Sequence, residues 1–332
     1  MKARIGIIGV GIGCKHAANF ARISNGELTA LCDMNPTRLS DAIKRFGAKG
    51  YGKLEDMLNS EKLDGVMVCT PPYVRMPLIE QIASRGIAVF CEKPPAGDLE
   101  TALSAMRALE KYPVINSVGF MYRWMDAATQ LKVLIAGRTV AVCQITGFMP
   151  VLKWAREGGV SPDYFFKEKA GGPLIEQGVH LIDCARFILG DEVARVHARS
   201  ANLLNPLTEK LTTPESVQTS MAWSKGTIGS HIHCWALNPH RFQILFSGLD
   251  FHLILDLNQN SVVGVNNNEP VDLKFKDDCY LTELEGFCDA ILSKDQSRIR
   301  GSYADAVKTL AVAVAGMKSL DTGTDLAVAE IK

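Results

Sequence analysis

Glu176, His180 and Asp183 follow one another at i, i+4 and i+7 in "AGGPLIEQGVHLIDCARFILGD", residues 170–191. A helix would carry all three on one stripe, with apolar Leu181, Ile182, Ala185 and Ile188 over the rest. Ionisable side chains are costly in a core unless paired, so the stripe suits a polar crevice. There an imidazole could accept a proton near working pH, and a carboxylate beside it could orient the ring or bind a hydroxyl. The structural alternatives are a satisfied core histidine at position 180 and an Asp183 bonded to backbone. A second group comes from "GIAVFCEKPPAG", residues 86–97, where an apolar run over 87–91 ends in Glu92, Lys93 and two prolines. The run reads as a buried strand. Ligands of open α/β sheets bind at the carboxyl ends of the strands, and an ammonium group there can stabilise developing alkoxide charge. Pro94 limits how Lys93 can point, because its ring fixes one backbone dihedral. A surface lysine in a turn, or a Glu92–Lys93 ion pair of little consequence, is the competing reading.

The elements that must position these groups are legible as an alternation. Apolar strands are predicted over residues 5–8, 28–32, 66–69, 87–91 and 114–118, with helices from the glycine loop to about 23 and over 36–46, 74–84 and 98–109. Pro36 opens the second helix and Gly47 stops it. Strands alternating with helices imply βαβ units and a parallel sheet covered on both faces. After about residue 120 the rhythm changes. A helix over about 126–136 leads to a strand over 140–146, an irregular stretch rich in glycine and aromatics, and one strong helix ending at Leu189. Strands with period-two alternation follow over 193–200, 217–223, 227–235, 241–246 and 251–257, and helices near 281–292 and 303–319 close the chain. The fold class is therefore α/β: a doubly wound parallel sheet over residues 1–119, and an α+β domain with a large, mainly antiparallel open sheet over 120–332. The last helix could pack back on the first domain.

The glycine loop in "GIIGVGIGCKH" sits between the first strand and the first helix. Gly9 permits the tight turn and Gly11 lets a pyrophosphate approach the backbone. A strict G-x-G-x-x-G would place its third glycine at Cys14, whereas the chain offers Gly13. Asp33 ends the second strand, at the distance expected of a carboxylate that accepts hydrogen bonds from the adenosine ribose. Such a carboxylate repels a 2′-phosphate and favours NAD over NADP, although Arg38 nearby could hold that phosphate. A structural turn with a solvated aspartate, or the glycine loop of a methyltransferase, would read similarly.

The ordered set of motifs resembles the glucose–fructose oxidoreductase, inositol dehydrogenase and rhizopine-catabolism family of nicotinamide-dependent sugar and cyclitol oxidoreductases. It consists of "GIIGVGIG" with Asp33, "VCTPP" at 68–72, "CEKP" at 91–94, "GFMYRW" at 119–124 and the 171–183 helix, and it spans nearly the whole chain. The resemblance implies a Rossmann domain whose cofactor contacts are Gly9, Gly11, Ile12, Gly13, Asp33, Arg38, Thr70, Pro71, Glu92 and Lys93. It implies that Lys93 contacts the reacting hydroxyl and the nicotinamide side of the cofactor, and that His180 is the catalytic histidine. The family's catalytic aspartate falls on Glu176, one methylene longer, and its usual histidine after the T-P turn falls on Arg75. Tyr122, Arg123, Trp154 and Tyr164 are candidates to line a polyol site. Other activities on the same scaffold are a non-catalytic sugar sensor, an NAD-dependent glycoside hydrolase and an imine or enone reductase.

Composition narrows the partners. The 332 residues carry zero formal net charge, which argues against nucleic acid or anionic membrane as partner. Nine scattered cysteines without C-x-x-C read as small core residues of a reduced, cytoplasmic protein. The N-terminal apolar run is short and broken by glycines, so it reads as a strand rather than a signal peptide, and no stretch has transmembrane length. "SHIHCW" puts His231, His233 and Trp235 on one strand face. No third ligand is visible, so no metal is expected, and that face reads as solvated or as an interface. A small sugar or polyol is the expected substrate. A homodimer or homotetramer through the open sheet is the expected assembly.

Overall fold

The computed structural model describes residues 1–157, 165–166, 171–204 and 212–331. In chain order its strands are β1 (Ala3–Ile8), β2 (Gly26–Cys32), β3 (Lys49–Tyr51), β4 (Gly65–Val68), β5 (Ala88–Cys91), β6 (Asn116–Val118), β7 (Val142–Phe148), β8 (Val193–Ala201), β9 (Ser216–Trp223), β10 (Ile228–Cys234), β11 (Arg241–Ser247), β12 (Phe251–Asp256), β13 (Ser261–Asn266), β14 (Glu269–Lys274) and β15 (Leu326–Ala327). The described helices are α1 (Gly13–Asn19), α2 (Pro36–Phe46), α3 (Leu54–Ser60), α4 (Arg75–Ala83), α5 (Leu99–Lys111), α6 (Asp126–Leu134), α7 (Val151–Arg156), α8 (Val179–Leu189), α9 (Cys279–Ser293) and α10 (Tyr303–Thr322). The chain forms two compact units: Met1–Trp124 with Asp278–Val307, and Met125–Asp277 with Lys308–Lys332. The first thus runs five residues past the expected boundary at 119 and takes in a later segment. Helix α9 belongs to it, and α10 begins in it.

The first unit is built on a six-stranded parallel sheet in the order β3-β2-β1-β4-β5-β6. The order reverses between β1 and β4, which is the switch point where such sheets bind ligands. Strands β4 and β5 are buried at every position, as two-sided coverage requires. The caps follow from sequence. Asn35 accepts the Arg38 N–H at 3.0 Å ahead of Pro36, and Gly47 closes α2 at φ 70°. Asp98 and Asp278 cap α5 and α9 in the same way. Helix α9 lies so close to the sheet that a Cβ on Gly26 would sit 2.7 Å from Sγ of Cys288, and one on Gly65 2.9 Å from Cδ1 of Ile291. Leu284, Phe287 and Cys288 thereby join Ile5, Ile7, Met67 and Phe90 in one core. The short strand β3 and helix α3 were not expected from the sequence.

In the second unit the described residues form a nine-stranded sheet, β14-β13-β12-β11-β7-β10-β9-β8-β15. Every pairing is antiparallel except β7 with β10. Alternate residues of β7, β9, β10 and β11 are buried, so one face carries the core. Helix α8 packs against β7 and β11. Among the described residues no helix is long and apolar enough to cross a membrane.

Candidate active site

At the switch point β1 runs into Gly9, whose φ of 93° excludes most side chains. A Cβ there would also lie 2.6 Å from the carbonyl oxygen of Cys69. Gly13 answers a different need. Its Cβ would fall 2.8 Å from Cγ2 of Ile7, so the displaced third glycine lets α1 close on the sheet. Gly11 has no such reason within the protein, because a Cβ there would meet nothing within 4 Å. The space above it is open, and Ile12 beside it is partly exposed.

Asp33 lies at the end of β2 and is buried. Its Oδ2 accepts the N–H of Val10 at 2.9 Å, which fastens the glycine loop, and its Oδ1 accepts the N–H of Asn35 at 2.8 Å. Arg38 reaches back to Oδ1 at 3.2 Å from a largely exposed position. After β4, the hydroxyl of Thr70 is buried without a hydrogen-bond partner, and Pro71 beside it is exposed. An open approach over Gly11, an orphaned hydroxyl at Thr70 and a carboxylate at Asp33 fit a dinucleotide: pyrophosphate over the loop and ribose at the carboxylate.

Strand β5 delivers Glu92 and Lys93 to the same edge of the sheet, where the Lys93–Pro94 peptide bond is cis. Glu92 is buried and accepts two hydrogen bonds: Oε2 from the N–H of Lys93 at 2.9 Å, and Oε1 from Nε2 of His16 at 2.6 Å. Burial alone would raise the Glu92 carboxyl. The His16 hydrogen bond and the charges of His16, Lys93 and Arg75 outweigh it and bring the group down to about 2. Arg75, also buried, donates Nε–H to the carbonyl of Thr70 at 2.8 Å and Nη1–H to the carbonyls of Glu92 and Pro94. The hydroxyl of Tyr303 donates to the carbonyl of Pro95 at 3.1 Å. Sequence reasoning missed His16. Its one signal was a polar residue on α1 three positions past Gly13, on the face that meets Phe90 of β5 edge-on at 5.4 Å.

In the second unit Gly171 and Gly172 adopt φ of 71° and 94°, and the chain then enters a wide π-helical turn over Leu174–Gly178 before α8. The turn alters the angle between Glu176 and His180 from that of a regular helix, whereas His180 and Asp183 both lie within α8. All three side chains are buried. The Asp183 carboxylate accepts the Thr309 hydroxyl at 2.9 Å, and Arg186, which donates to the same hydroxyl at 2.7 Å, lies 3.9 Å away. Arg186 also holds Glu192 through Nε and Nη2 at 2.7 and 2.8 Å. Asp183 therefore braces α8 against α10.

His231 and His233 correct a sequence expectation. They do not lie on a solvated or interface face; both are fully buried, with ring nitrogens 3.3 Å apart. Glycines make the room. A Cβ on Gly147 would collide with Nδ1 of His233, and one on Gly178 would lie 3.1 Å from Cε1 of His231. Burial lowers His231 to about 3 and holds His233 well below its ordinary value, so both rings stay neutral. Among the described residues no group of three or more His, Cys, Asp or Glu could hold a metal ion.

The expected polyol contacts are dispersed. Tyr122 is half-buried in a helical turn, Met121–Trp124. Arg123 is buried, donates to the carbonyl of Arg300 at 2.6 Å and pairs with Asp305, so its charge is already engaged. Trp154 on α7 is half-buried and meets His240 edge-on at 6.1 Å. Tyr164 lies outside the described residues.

A glycine loop, an acidic strand end and a lysine turn at one sheet edge invite comparison with known proteins. The sequence profile of an oxidoreductase family with an NAD-binding Rossmann fold matches residues 3–120, and that of the GFO/IDH/MocA C-terminal domain matches residues 141–251. The chain belongs to this family. It is therefore an oxidoreductase with an NAD-binding Rossmann fold. It is 25% identical to a myo-inositol 2-dehydrogenase of Thermotoga maritima over 99% of each chain. It is 26% identical to the uncharacterised oxidoreductase YrbE of Bacillus subtilis over 67% of this chain and 64% of that one, a little under two thirds of its length. Among solved structures, scyllo-inositol dehydrogenase from Lactobacillus casei, with bound NAD(H) and scyllo-inositol, superposes with a TM-score of 0.85 at 22% identity. That match covers 99% of this chain and all of the other, and shows a shared fold.

Proposed function

We propose that the protein moves a hydride between NAD and a secondary hydroxyl or ketone of a cyclitol, sugar or related polyol. The observation that carries this reading is the Lys93 turn at the carboxyl edge of the sheet that also bears the open glycine loop and Asp33. The names of relatives, inositol dehydrogenases among them, support the substrate class. Dinucleotide binding is assigned to the first unit, and substrate binding and assembly into a homodimer or homotetramer to the second. NAD is favoured over NADP because the Asp33 carboxylate repels a 2′-phosphate and already engages Arg38. Nine free cysteines, most of them buried, suit a reducing, cytoplasmic setting.

A bound nicotinamide supplies the hydride acceptor or donor. Gly9, Gly11, Ile12 and Gly13 would hold the dinucleotide's phosphates, Asp33 its adenosine ribose, and Thr70 and Pro71 would face its nicotinamide half. In the oxidising direction His180 accepts the proton of the substrate hydroxyl, and Lys93 donates a hydrogen bond to the same oxygen as alkoxide charge develops. Glu176 orients His180 or binds a neighbouring hydroxyl, while Asp183 acts through the Thr309 and Arg186 bonds that set α8. The test is a pair of fluorescence titrations with NADH and NADPH, followed by a panel of cyclitols and sugars at saturating cofactor. Tighter NADH binding and reduction of NAD by a panel member are expected. Binding of neither cofactor, by protein free of co-purified nucleotide, would overturn the reading.

A further inference from the structure

We propose that Arg75 is a positioning residue for this reaction: a buried cation that ties the turn after β4 to the turn after β5 and so fixes the edge from which Lys93 is presented. The inference rests on the nucleotide-site reading above and assigns a role to the arginine that follows the T-P turn.

Arginine is among the residues least often buried, yet Arg75 at the start of α4 is 4% exposed. Its guanidinium is spent on backbone. Nε–H goes to the carbonyl of Thr70, and Nη1–H goes to the carbonyls of Glu92 and Pro94. The last two carbonyls flank Lys93 in the chain, and the N–H of Lys93 itself is taken by the Glu92 carboxylate. The backbone around the lysine is thus held from both sides, and the turn bearing the orphaned Thr70 hydroxyl is held with it. In a doubly wound sheet each βαβαβ half binds one nucleotide, so the ends of β4 and β5 face the nicotinamide half and those of β1 and β2 the adenosine half. The clamp sits on the nicotinamide half alone. A guanidinium offers five N–H donors in a planar fork, whereas a histidine in its place would offer at most two.

The test compares two probes, NADH and ADP-ribose, which lacks the nicotinamide ring. Arg75→Gln is expected to leave ADP-ribose affinity unchanged and to weaken NADH about tenfold or more, equivalent to about 1.4 kcal/mol of binding. Arg75→Lys should recover part of the loss, and Arg75→His less. Equal weakening of both probes marks a general structural role and overturns the proposal, as does no change in either. Should Arg75→Gln fail to fold, the same ratio measured on Arg75→Lys decides, with a selective loss for NADH expected. Wild-type protein that binds neither probe overturns the nucleotide-site reading itself, and this inference falls with it. Wild-type binding with an unchanged ratio in every variant overturns the inference alone.

Discussion

Nε2 of His16 lies 2.6 Å from Oε1 of Glu92, with both side chains shut away from solvent. The pair links the helix behind the glycine loop to the residue that precedes Lys93, so cofactor loop and lysine turn share one buried hydrogen bond.

That bond makes a prediction about acid. The Glu92 carboxyl sits at about 2 in the folded protein against an ordinary 4.5. A depressed carboxylate contributes stability above its unfolded value and loses it as pH falls through the folded one, at up to about 1.4 kcal/mol per pH unit. Wild-type protein should therefore be more stable than Glu92→Gln at neutral pH, and the gap should close as pH falls from about 4.5 to about 2. Urea midpoints measured across that range decide it; a gap independent of pH contradicts the pairing.

Two of the loop glycines should separate fold from function. Gly13→Ala forces Ile7 aside and should cost about 1–3 kcal/mol of stability, as overpacking does. Gly11→Ala meets no protein atom and should leave thermal stability unchanged. It should nevertheless weaken NADH at least about tenfold, or about 1.4 kcal/mol, by intruding where phosphate approaches. Calorimetry and titration on the two variants give the contrast directly. Equal NADH affinity for Gly11→Ala and wild type would remove the pyrophosphate from this loop.

Lys93→Met and His180→Asn should each bind NADH nearly as wild type does and lose turnover by roughly 10²- to 10⁴-fold, the range of general acid–base contributions. If both groups act on one oxygen, the double variant should be far less than additively impaired. Stopped-flow or steady-state rates on whichever polyol the wild type oxidises supply the comparison. Near-normal turnover by either single variant would reassign that residue.

Asp33→Ser should raise NADPH affinity relative to NADH, with Arg38 released from its carboxylate partner. Absolute affinity for both should drop, since the same carboxylate fastens the Val10 and Asn35 N–H groups. An unchanged ratio would mean that cofactor choice lies elsewhere.

Much of the frame was legible because local chemistry and tertiary demand agree. Pro36 and Gly47 bound α2 where their backbone preferences place them, and the apolar runs at β4 and β5 are unbroken because they are buried on both sides. Strand β3 carries Lys49 and Gly50 on an exposed edge, so it has no apolar signature and exists by pairing with β2. The β13–β14 hairpin turns on Asn267 and Asn268, both at positive φ, a signal present in "VNNNEP" but easily read as loop. At the site, residue types and spacing exposed Lys93, His180 and Asp33. His16 stayed hidden, and Arg75 stood out only as a departure without a role, because their importance lies in partners 76 and 17 residues away. The buried histidine pair was hidden for a related reason: only Gly147 and Gly178, on other elements, reveal that the strand face has room for two rings.

Phe287 and Cys288 cover Gly26 and Gly65 from α9, a helix that follows strands β1 to β14 in the chain. As the chain leaves the ribosome, the parallel sheet has its strands long before it has this cover. One apolar face must wait, exposed, while the intervening strands of the second unit are made. The nucleotide-binding unit is thus begun before Met125–Asp277 and completed after it, and a stop codon placed after Trp124 would yield a sticky, unfinished sheet rather than a small domain.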